Sequence, residues 1–151
     1  MRLMGHAAAG AGLGALVYQA TADWRLAGVA AGTEVFVDLD HVLEHLFRSD
    51  RPLCLKTFFS RRNSLDWPKM VFIFHAYEWV VLLAVAAAYF ASPLLWAAAL
   101  GAVVHLFLDE IGNRRFIYPG YFALGFYFFS YRLFRGFRVE KLIREAGGDR
   151  Q

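Results

Sequence analysis

Cysteine is almost absent: Cys54 stands alone in 151 residues. A single thiol excludes an intramolecular disulfide and every multi-cysteine zinc or iron–sulfur site. Cys54 itself reads as an apolar residue near an interface. A dinucleotide fingerprint is also missing. Gly10, Gly12 and Gly14 have part of its spacing, but no strand pattern precedes them and no acid follows at the required distance. No small-residue cleavage pattern follows the first apolar stretch, so that stretch is expected to stay in the mature chain, and His6 with it. Charge is missing from residues 80–90 and 94–104.

Apolar and aromatic residues are abundant. The chain is 58% hydrophobic and 17% aromatic, with a mean hydropathy of +0.38. Soluble domains are about 45–50% apolar, and the excess here is gathered into long runs. The expected fold is all-α: a polytopic transmembrane helical bundle of four to five membrane helices in one integral membrane domain, residues 1–151. A net charge of +3 raises the question of nucleic acid. The positive residues sit in short loops and the tail, flanking apolar runs, which is the membrane-protein pattern and argues against a nucleic-acid partner.

Residues 1–111 read as a four-helix core. Segment one (3–20) is rich in glycine and alanine, which let neighbouring membrane helices approach closely. Segment two (26–47) is apolar in its first half and carries Glu34, Asp38, Asp40, His41, Glu44 and His45 in its second. The connection 48–69 holds six Lys/Arg and two Asp. Segment three (70–90) is long enough to span, and Ser92-Pro93 turns the chain into segment four (94–111). Residues 112–134 hold an aromatic fifth element (116–134), a fifth span or a re-entrant hairpin. Residues 135–151 form a basic amphipathic tail. The basic connection belongs in the cytoplasm, which puts the Ser92-Pro93 turn outside. A spanning fifth element would put the basic tail outside, against the rule, so four spans plus a re-entrant element is the preferred topology. The expected location is a bacterial inner membrane, with membrane lipids as partners.

All five histidines fall at one end of this bundle. His6 opens segment one; His41 and His45 close segment two with Asp38, Asp40 and Glu44; His75 and Glu78 open segment three; His105 and Asp109 close segment four. Ionisable groups inside a membrane are expensive and are functional by default. On an ideal helix Glu34, Asp38, His41 and His45 share a stripe about 60° wide, while Asp40 and Glu44 point about 100° away. His75 and Glu78 are spaced i, i+3, and His105 and Asp109 i, i+4, so each pair shares a helical face.

Imidazoles and carboxylates on facing helices are how bundles build metal centres. The expected ligands are His6, Asp38, His41, His45, His75, His105 and Asp109. Asp40 and Glu78 are acids that act as further ligands, orient histidines or serve catalysis, and Glu44 is the candidate base. Nitrogen and oxygen donors without thiolate suit a divalent metal, zinc first, with iron or manganese and a mono- or dinuclear centre as alternatives. Two other classes fit a His-rich bundle. A haem-binding electron carrier is disfavoured by the crowd of acids. A metal or proton transporter is disfavoured by the charge-free stretches, because a relay should cross the whole membrane.

These residues resemble the bacterial membrane-bound metal-dependent hydrolase family, typified by a LexA-regulated inner-membrane hydrolase. The resemblance is carried by His6, by Asp38-Leu39-Asp40-His41, by Phe74-His75-Ala76-Tyr77-Glu78 and by His105-Leu106-Phe107-Leu108-Asp109, and it covers residues 1–111. The middle element is shorter than the H-R-G-x-T-H-S of many members and lacks one histidine and a Thr/Ser pair. The resemblance implies a hydrolase acting at the cytoplasmic membrane interface. Similar His/Asp motifs in helical zinc-dependent phospholipases point to a lipid or lipid-linked phosphoester as substrate.

Overall fold

A computed structural model describes residues 3–49, 53–54, 69, 71–113 and 124–144. The basic connection with Arg61 and Arg62, the start of the aromatic element and the end of the tail lie outside the described residues. The described chain is mostly helical: α1 (Leu3–Thr21), α2 (Trp24–Phe36), α3 (Leu39–Arg48), α4 (Tyr77–Tyr89), α5 (Pro93–Gly112), a 3-10 turn (Leu124–Tyr127), α6 (Phe129–Phe134) and α7 (Val139–Arg144). Extended pairing among the described residues is confined to an isolated antiparallel bridge between Lys69 and Arg138.

The middle of the bundle is α2, packed on α1 along one side and on α5 along the other, with α4 against α5. Small residues set these contacts. A Cβ at Gly101 would overlap the Ala30 carbonyl oxygen, so α5 meets α2 backbone to backbone. Gly10 and Gly14 do the same for α1 on α2, whereas Gly12 faces open space. The ends are capped locally. Asp23 accepts from the Arg25 amide at 2.8 Å to start α2. Ser92 accepts from the Leu95 amide at 3.4 Å, and Pro93 occupies the first helical position of α5.

Two expectations are corrected. Residues 26–47 do not form one helix. Bonds of the tighter i→i+3 kind, Asp38 N–H to Val35 and Asp40 N–H to Val37, break the run at Val37–Asp38 and re-aim α3. Residues 70–90 do not form one helix either. Phe74 and His75 give their amides to Asp40, Ala76 is extended, and α4 begins at Tyr77. Of the fifth element, expected as a span or a re-entrant hairpin over 116–134, the described residues 124–134 hold a 3-10 turn and a six-residue helix, neither of which alone reaches across a bilayer core of roughly 30 Å. Of the described helices only α5 is long and apolar enough to cross a membrane.

Residues 124–144 instead fold over the polar end of the bundle. Phe126, Tyr127, Val139 and Leu142 form one buried cluster with Val37, Phe72, Ala102 and Leu106. Tyr127 accepts from Asn113 Nδ2 at 2.9 Å. Glu78 accepts from the amides of Phe129 and Ser130 and from Ser130 Oγ at 2.7–3.0 Å. The distribution of polarity is inverted. Among the described residues ten polar or charged ones are buried, His6, Glu34, His105 and Arg132 completely, while Val81, Leu82, Val85, Trp96, Leu100 and Phe107 of α4 and α5 lie exposed.

Candidate metal centre

The cluster residues come from several elements. His6 lies in the first turns of α1, and Glu34 in the last turn of α2. Asp38 precedes α3 without capping it, and Asp40 and His41 lie in its first turn. His75 comes from the non-helical approach to α4, and His105 and Asp109 share a face of α5 as i, i+4. The continuous α5 preserves the spacing read from the sequence. His75 does not sit on a helix, so its i, i+3 relation to Glu78 has no meaning there; Glu78 turns instead to the start of α6.

Three histidines share one arrangement. His6 Nδ1 is 2.8 Å from Glu34 Oε1, His75 Nδ1 is 3.1 Å from Asp40 Oδ2, and His105 Nδ1 is 2.5 Å from the Glu34 carbonyl oxygen. A carboxylate or carbonyl oxygen can only accept, so each Nδ1 carries the proton; in neutral rings the Nε2 atoms of His75 and His105 then present lone pairs, whereas His6 Nε2 faces the Asp109 carboxylate as a donor. The Nε2 atoms turn inward. His75 and His105 Nε2 are 3.3 Å apart. Asp109 Oδ2 lies 3.6 Å from the first and 3.7 Å from the second, and Asp109 Oδ1 lies 3.0 Å from His6 Nε2. The His6 and His105 rings stack with centroids 4.0 Å apart.

That geometry has the size of a metal centre. A triangle with sides of 3.3, 3.6 and 3.7 Å has a circumscribed radius of about 2 Å, the zinc–nitrogen and zinc–oxygen bond length. Two groups of donors meet here: His6, His105 and Asp109, and Asp38, His41 and His75. Within the second group Asp38 Oδ1 is 3.6 Å from His41 Nε2 and 3.8 Å from His75 Nε2, and His75 joins that group to the first through His105 and Asp109. All are buried except His41, which is partly exposed. Buried His/Asp groups of this kind are able to bind a metal ion.

Among the other expected residues, Asp40 is buried and bonds the amides of Phe74 and His75 as well as the His75 ring, so it orients a ligand. Glu44 and His45 are buried on α3, three and four residues beyond His41 and hence on its face. Two contributors went beyond the expected set. Glu34 orients both His6 and His105, one by its carboxylate and one by its carbonyl. Arg132, completely buried, donates to the His75 carbonyl oxygen at 2.7 Å. Its signal was present: it is the one charged residue in 116–134.

Comparison with protein-family models, with curated proteins and with solved structures gave no match.

Proposed function

We propose that this chain is a membrane-embedded, metal-dependent hydrolase acting at the membrane interface on a lipid or lipid-linked phosphoester. The observation that carries the reading is the convergence of His6, His75 and His105: each is protonated outward at Nδ1 and turned inward at Nε2, around the Asp109 carboxylate. Two lone pairs facing each other at 3.3 Å repel unless a cation lies between them.

Membrane embedding is supported by the inverted polarity. Only 39% of the most apolar stretch of α5 is buried, and the rest of that surface is exposed aliphatic and aromatic. Such an expanse calls for an apolar surrounding. A cytoplasmic inner-membrane placement follows from the basic residues of 48–69.

When bound, a divalent cation supplies Lewis acidity and makes water nucleophilic near neutral pH. His75, His105, Asp109 and His6 are the residues that would hold it, with Asp38 and His41 as the adjoining donors. Zinc is the first choice for this nitrogen–oxygen set. Glu34 and Asp40 hold the rings in register, and Glu44 is proposed as the proton acceptor. Hydrolysis joins the water oxygen to phosphorus, breaks the ester P–O bond, and passes one proton to the base and one to the leaving alkoxide. The resemblance to membrane-bound metal-dependent hydrolases rests on the same residues.

The test is phosphate release from phosphatidic acid, and headgroup release from phosphodiester lipids, by zinc-loaded protein in vesicles. Release that chelator and Asp109→Asn abolish supports the reading. Protein with stoichiometric zinc that cleaves neither class overturns it.

A further inference from the structure

We propose that Arg132 is an oxyanion anchor, its guanidinium holding a phosphoryl oxygen of a ligand bound at the His/Asp cluster. The inference deepens the hydrolase reading and rests on it for the position of the ligand. Arg132 is 0% exposed. Nη2 is committed to the His75 carbonyl oxygen at 2.7 Å. Nε and Nη1 are buried and make no hydrogen bond among the described residues. A guanidinium stays charged and offers five donors in a planar fork, so a buried one with most of that fork unused calls for an acceptor.

The neighbouring acids do not supply it. The carboxylates whose charge acts on Arg132 are Asp40 and Glu78. Asp40 is taken up by Phe74 and His75, and Glu78 by Phe129 and Ser130. The Phe126 ring covers one side at 5.7 Å. The guanidinium is fixed to the backbone of His75, whose Nε2 is a corner of the donor triangle. Nε and Nη1 each have hydrogen to give to a phosphoryl oxygen, in directions fixed by the planar guanidinium that a lysine ammonium does not reproduce. A purely structural tie between α6 and His75 would need Nη2 alone.

The experiment is equilibrium dialysis of zinc-loaded protein against radiolabelled inorganic phosphate, with metal content and helicity measured on the same samples. Wild type should bind phosphate saturably. Arg132→Met and Arg132→Lys should keep their metal and weaken phosphate roughly tenfold to a hundredfold; the lysine variant carries the test if the methionine variant fails to fold. Competition by phosphatidic acid vesicles, but not by glycerol phosphate, supports the anchor with a lipid headgroup as its source. Competition by glycerol phosphate supports it with a soluble phosphomonoester. Phosphate bound equally well by a folded, metal-replete variant, or not bound by wild type, overturns the proposal. Arg132-dependent phosphate binding in wild type that holds no metal would sink the hydrolase reading while keeping the anchor.

Discussion

His75 Nε2 and His105 Nε2 face each other at 3.3 Å, and each imidazole has its Nδ1 proton engaged elsewhere, on Asp40 and on the Glu34 carbonyl oxygen. As a neutral imidazole, neither ring can donate to the other without giving up that bond. Metal should therefore stabilise the fold as well as equip it. At a thousandfold excess over its dissociation constant a native-state ligand adds about 4 kcal/mol. Zinc should raise the midpoint of thermal unfolding and chelator should lower it. The same zinc should leave a His75→Ala/His105→Ala protein unmoved, as scanning calorimetry in detergent would show.

Glu34 should matter through the rings it orients. Its Oε1 takes the His6 Nδ1 proton at 2.8 Å. Glu34→Gln keeps an acceptor there but removes the charge that makes His6 a better donor. Losing such a partner typically weakens metal affinity about ten- to a hundredfold. Chelator competition should show that loss with helicity intact; unchanged affinity would remove Glu34 from the metal centre.

Gly101→Ala should be destabilising although alanine is the better helix former. Its Cβ would overlap the Ala30 carbonyl oxygen, and backbone cannot swing away as a side chain can. Overpacking of this kind costs about 1–3 kcal/mol. Gly12→Ala, facing open space, should be neutral or stabilising. Unfolding midpoints of the two variants, compared side by side, check the assignment of the α2–α5 contact.

Glu78 should hold down the cover of the site. Its carboxylate receives the amides of Phe129 and Ser130 and the Ser130 hydroxyl. Glu78→Ala removes all three bonds where water reaches at least Ser130, so the loss should be about 1 kcal/mol, near the net value of one hydrogen bond. Hydrogen exchange in 124–144 should quicken while metal content stays the same. Metal loss without faster exchange there would return Glu78 to the cluster.

The gathering of the polar residues at one end of the helices was legible because it needs only the order of apolar and polar runs. His105 and Asp109 were legible as a pair because α5 is unbroken from Pro93 to Gly112. The stripe drawn through Glu34, Asp38, His41 and His45 was not sound, since no glycine or proline marks the break at Val37–Asp38. The break comes from a tightening of backbone bonds, and it is this turn that brings Asp38 to His75. His75 was placed with the right partners and wrongly on a helix, because Asp40 takes up its amide across 35 residues. Such long-range bonds leave no periodicity. The short 3-10 turn and α6 hid inside an aromatic run whose composition suits a span equally well. Arg132 was readable as the lone charge in that run, yet its partner, the His75 carbonyl oxygen, is a backbone atom that no motif displays.

The most direct measurement is elemental mass spectrometry of the detergent-purified protein, prepared without chelator, beside the His75→Ala/His105→Ala and Asp109→Asn variants, with circular dichroism on each. A stoichiometric divalent metal in the wild type, lost from both variants while helicity persists, is the result expected from the convergence of three Nε2 atoms on Asp109. A well-folded wild type that holds no zinc, iron or manganese, even after each is supplied, would contradict it.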